Sequence, residues 1–115
     1  KRANVTLNQK ENGGELLDLN WEREVGAYYI PNSELGPNLL DRLPGVCGAA
    51  FVKNSLFELG IIIGHEGILI DNQFLVHASS TEGETVKIDF LSYYFSEPEG
   101  IFDGVMFYEF RPMNP

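Results

Sequence analysis

Two histidines, the only ones in the chain, are the residues best suited to chemistry. They stand twelve positions apart in Gly64-His65-Glu66-Gly67-Ile68-Leu69-Ile70-Asp71-Asn72-Gln73-Phe74-Leu75-Val76-His77-Ala78-Ser79-Ser80. An imidazole titrates near neutrality, so it can take up and return a proton, and a second polar group on its other nitrogen fixes its tautomer. The segment alternates as two strands joined by a turn, and side chains two apart along a strand share a face. A three-residue loop centred on Asn72 pairs odd positions with odd, which sets His77 opposite Gly67 and diagonal to His65. Side chains at such diagonal positions can meet across a spacing of roughly 7–8 Å. Gly67, without a side chain, leaves room for two rings. A two-residue loop would turn the histidines to opposite faces. The plain alternative is that each is an ordinary core or surface residue. Metal binding is a weaker one, because two imidazoles without a third clustered ligand make an incomplete zinc site.

Cys47 is the only cysteine, which excludes an internal disulfide and a cysteine-based zinc site. It lies eighteen residues before His65, in Val46-Cys47-Gly48-Ala49-Ala50-Phe51. That run reads as a strand in which Cys47 is a small buried residue, free Cys being among the most buried types. A reading in which Cys47, His65 and His77 act together is the minor one.

The elements that must position the histidines are mostly β. Val46–Lys53, Glu66–Asp71, Gln73–Ala78, Thr85–Asp89 and Phe102–Phe110 are short runs rich in Val, Ile, Phe and Tyr, punctuated by Gly, Asn, Asp or Pro. They predict an α+β, mostly β fold with a curled antiparallel sheet of about five strands. Phe90–Phe95, after Asp89 as N-cap, predicts one helical turn over that sheet. Val25–Ile30 reads as a short strand ending at Pro31, and residues 32–40 as a broken helical turn interrupted by Gly36 and Pro37. Residues 1–24 carry little periodicity and read as an irregular N-terminal arm, leaving 25–115 as the sheet portion.

With 115 residues, 43% of them hydrophobic, the chain can build one core. Its 8 basic against 17 acidic residues give a formal charge of −9, which disfavours nucleic acid and anionic membranes as partners. No run approaches the length of a membrane span, and no cofactor motif is present. Because the chain opens in mid-pattern without an initiator Met, removal of a signal or an upstream segment is expected.

The strings His65-Glu66-Gly67-Ile68-Leu69-Ile70 and Phe74-Leu75-Val76-His77-Ala78-Ser79-Ser80 resemble the NlpC and p60 family of papain-like cysteine peptidases, in its N-acetylmuramoyl-L-alanine-amidase-like branch. Tyr29-Ile30-Pro31, the Gly45-opened strand, Tyr93-Tyr94, Gly100-Ile101 and Val105 are similar to outer elements of that branch, in the same order. The resemblance covers about residues 28–111. It implies the C-terminal half of a papain-like domain, with His65 as general base and thiolate partner and His77 as the residue that orients it. It implies further a peptidoglycan stem peptide or similar amide as substrate, and a bacterial cell envelope or periplasmic setting. In the family the nucleophilic Cys opens a helix upstream of the histidine strand, in an Asp-Cys-small pattern, and no such pattern precedes Val25. The nucleophile is therefore expected on an upstream segment outside these residues, and the chain alone is expected to be inactive. The reading from another class is a non-catalytic module that kept the sheet, lost the nucleophile, and recognises a cell-wall peptide or a protein.

Overall fold

The computed structural model describes residues 1–7, 9–14, 16–17, 23–79, 82–96 and 102–110. Strands β1 (Arg2–Leu7) and β2 (Arg23–Tyr28) form an antiparallel pair. A second, open antiparallel sheet contains β3 (Ile30–Pro31), β4 (Val46–Val52), β5 (Ile63–Ile70), β6 (Phe74–Ser79), β7 (Glu84–Asp89) and β8 (Gly104–Tyr108). Its spatial order is β3-β8-β4-β5-β6-β7. Among the described residues helical structure is short: α1 (Pro37–Leu40), α2 (Phe90–Tyr94), and 3-10 segments at Asn32–Glu34 and Asn54–Leu59. The fold is thus mostly β and antiparallel, with six strands in the main sheet where about five are expected. The additional strand is the two-residue β3.

The irregular arm needs correction, because residues 2–7 pair with residues 23–28 in a regular ladder. Ala3 and Val5 alternate inward and pack with Tyr29, Val52 and Ile62 on one face of the main sheet. Gly100-Ile101 and Ser80 lie outside the described residues, so their part in the resemblance has no structural counterpart here.

Strand β4 is central. Between β8 and β5 it is covered on both faces, so residues 47–52 are all buried and the alternation of a one-sided strand is lost. The odd-numbered side chains Cys47, Ala49 and Phe51 join Leu69 and Leu75 beneath α2, which contributes Phe90 and Tyr94. This is the main core. Opposite, the β1–β2 pair covers only part of the sheet, and Val46, Ile68 and Tyr108 remain exposed there.

Three side chains fix the surroundings of the hairpin. The Asp89 carboxylate caps α2 by accepting from Ser92 N and Ser92 Oγ and also accepts from Gln73 Nε2, which ties the cap to the hairpin loop. These hydrogen bonds hold its pKa below the ordinary value. Asn32 accepts from the Tyr94 hydroxyl and donates Nδ2 to Phe102 O, drawing Phe102 toward the core. Asn72 donates Nδ2 to Leu40 O and Leu43 O, both at 2.7 Å, while Asp71 N donates to Gly45 O. The loop tip is thereby stapled to the segment entering β4.

Candidate functional site: a histidine pair on a hairpin

The loop joining β5 to β6 has three residues, Asp71, Asn72 and Gln73, closed by Gln73 N donating to Ile70 O. Asp71 and Asn72 adopt positive φ of 52° and 55°, a conformation that Asp and Asn tolerate better than most residues. The ladder pairs Ile68 with Val76, Leu69 with Leu75 and Ile70 with Phe74. Continuing the same register sets Gly67 against His77.

His65 and His77 meet. The Nε2 of His65 lies 2.8 Å from Nδ1 of His77, with the rings perpendicular and their centroids 5.0 Å apart. A Cβ at Gly67 would stand 2.6 Å from Leu75 Cδ1, 2.9 Å from Val76 O and 3.1 Å from His77 Cβ, so the absent side chain is what lets the pair close. Gly67→Ala must shift backbone as well as side chain. It is expected to cost about 1–3 kcal/mol in urea denaturation and to weaken the inter-ring hydrogen bond seen by imidazole NMR. Unchanged stability with an intact pair would show that the spacing is not set by this residue.

The two ends of the pair differ. His77 is only 5% exposed, and its Nε2 is buried with no hydrogen-bond partner among the described residues. His65 is half-buried, and no described residue hydrogen-bonds its Nδ1. Of the two neutral tautomer arrangements, one has His65 Nε2–H donating to His77 Nδ1. It leaves the lone pair of His65 Nδ1 available, so a proton can add there without disturbing the contact. The opposite arrangement would require the first added proton to reach the buried Nε2 of His77.

Burial pushes both imidazole pKa values below the usual 6.5. The nearby Glu66 carboxylate partly opposes this at His65, and the charge of His65 reinforces it at His77. The unfolded chain therefore binds more protons than the folded one below about pH 6.5. The stability tied to the neutral pair is complete above that pH and is lost as the pH falls through the folded-state values. The urea midpoint is expected to drop between pH 7.5 and 5.5, and His77→Gln should flatten that slope. Equal slopes in the two proteins would contradict a buried neutral pair.

Aromatic rings surround the histidines. Phe51, paired with His65 across β4 and β5, has its ring 5.5 Å from the imidazole, and Phe102 lies 6.4 Å away and nearly parallel. Tyr93 of α2 is 4.5 Å from the His77 ring and 6.3 Å from that of His65. Sequence reasoning assigned no site role to these three. Phe51 was accessible through its odd position on β4, whereas Phe102 and Tyr93 arrive by long-range packing.

Cys47 is not in the site. It pairs with Leu69, while His65 pairs with Phe51 four residues further along β4, a separation of about 13 Å along the strand. The thiol is buried and desolvation raises its pKa, the opposite of an activated nucleophile. No group of three His, Cys, Asp or Glu residues that could hold a metal occurs among the described residues. No helix among them is long and apolar enough to cross a membrane. No family model, curated protein or solved structure matches the chain.

Proposed function

We propose that this chain is the histidine-bearing half of a Cys–His amidase or peptidase, with the nucleophilic cysteine supplied by a segment outside these residues. The observation that carries the reading is the 2.8 Å contact from His65 Nε2 to His77 Nδ1, which leaves the Nδ1 of His65 available for a thiol. A Cys–His hydrolase needs this division: one imidazole nitrogen to exchange the proton, the other held so that the ring keeps one tautomer and orientation. In the reaction, His65 Nδ1 takes the thiol proton as sulfur attacks the amide carbon, then gives it to the departing amine. A thioester remains, and water activated by the same nitrogen hydrolyses it. The motif strings around His65 and His77 point to a peptidoglycan stem amide as substrate, to the cell envelope as setting, and to the sheet as the C-terminal half of a papain-like domain.

The test joins the chain to an upstream segment bearing the expected Asp-Cys-small pattern in one polypeptide and measures release of amine from stem-peptide substrates. Activity is expected in the joined protein and absent from the chain alone. A joined, folded protein whose cysteine alkylates no faster than free cysteine at neutral pH, and which releases no amine, would sink the reading.

A further inference from the structure

Once the histidine pair takes up a proton, a positive charge sits on a buried and a half-buried ring, and desolvation disfavours it. Groups able to offset this are few. On β5 the Glu66 carboxylate acts on His65 through space, but its side chain leaves the strand on the other face. Strand β4 presents Phe51 to His65, with the neutral thiol of Cys47 further along. On β7, Val86 faces His77, and Lys87 is turned the other way, over the Phe74 ring. Beside Phe102, the Asp103 carboxylate is engaged by Asn54 N. From α2 comes Tyr93, whose ring lies closest of all to His77, at 4.5 Å.

We propose that Tyr93 is a positioning residue, its aromatic ring holding His77 against His65 and stabilising the protonated pair by a cation–π contact. The ring quadrupole attracts a cation within about 6 Å of the centroid. The His65 ring, at 6.3 Å, lies just outside, and His77 meets the condition when, after His65 Nδ1 is protonated, the Nε2 proton of His65 passes across the 2.8 Å contact to His77 Nδ1. Helix α2 is one turn long, so the placement of Tyr93 depends on its cap. Asp89 fixes the turn at Ser92, and Phe90 N donates to Gln73 O of the hairpin loop. The same loop that sets the histidine register thus sets the ring that covers it. In the neutral pair Tyr93 contributes packing. In the protonated pair it also contributes electrostatically, and this second part distinguishes positioning from mere filling. The inference deepens the Cys–His reading, in which the imidazolium form must persist beside a thiolate, yet it is tested on the chain by itself.

The experiment follows both imidazoles by nitrogen-detected NMR as the pH is lowered, in the chain as it stands and in Tyr93→Phe and Tyr93→Leu. Tyr93→Phe keeps the ring and should titrate like the parent. Tyr93→Leu should move the pair's first protonation down by about half a pH unit. Replacing Tyr93 with pentafluorophenylalanine, which keeps an aromatic ring of similar size and reverses the quadrupole, should lower it at least as far and covers the case in which the Leu variant fails to fold. The proposal is overturned if the fluorinated ring leaves the midpoint in place. It is also overturned if Tyr93→Phe shifts the midpoint as far as Tyr93→Leu, since the hydroxyl and not the ring would then act. A failed amidase assay would leave these titrations readable, so the two ideas fall separately.

Discussion

If the proposed Cys–His reading holds, His65→Ala in the chain joined to a cysteine-bearing upstream segment is expected to lower amide hydrolysis roughly 10³-fold or more, with the fold intact. The magnitude follows from what the side chain does in the proposed reaction: without it the thiol lacks its proton acceptor and the departing amine its donor. His65 is half-buried and, among the described residues, hydrogen-bonds through its side chain only to His77, so truncation opens a small space without removing a core residue. Circular dichroism and the urea midpoint should therefore change little beside the loss of rate. His77→Ala should leave more activity, because His65 keeps its nucleophile-facing Nδ1 and loses only orientation and tautomer control, which water can partly replace. Stem-peptide hydrolysis that proceeded equally well with and without His65 would end the assignment.

The second large effect concerns stability. Phe51 is fully buried, with ring centroids 4.9 Å from Phe102, 5.5 Å from Tyr94 and 5.8 Å from Phe90. Phe51→Ala removes the ring on which the cores of β4, α2 and the Phe102 segment converge. A loss of about 3–5 kcal/mol is expected from urea denaturation. Against total stabilities of about 5–15 kcal/mol for domains of this kind, much of the folded population is at risk. The same substitution leaves the His65 imidazole without its wall, so in whatever fraction stays folded the ring should become mobile and more easily protonated. A loss below about 1 kcal/mol would show that the aromatic cluster is not the centre of the fold.

The hairpin was the most legible part of the sequence, because its information is local. Two-residue periodicity, a central Asn and a glycine two places after the first histidine marked the hairpin, but faces and register hung on loop length, which the structure sets at three residues. The cap at Asp89 was legible for the same reason. Strand β1 was not, since only Ala3 and Val5 turn inward and the intervening Asn4 is polar, too short a pattern to stand out from a polar stretch. Strand β4 showed no alternation because both its faces are covered, and only the neighbours it acquires in space reveal that. The aromatic walls were invisible for a related reason. Phe102 reaches His65 through Asn32, which also holds Tyr94, so three distant parts of the chain must already be folded before that contact exists.

Hairpin tips are ordinarily the places where a lineage can gain or lose a residue at little harm. Here the tip is stapled by Asn72 to the carbonyls of Leu40 and Leu43, and its three-residue length sets which face His77 occupies. One inserted residue would leave a well-paired sheet with its second histidine on the wrong side. Among descendants that keep the pair, length variation should therefore be found at the other turns and be missing from residues 71–73, an inversion of the usual pattern that sequencing alone can examine.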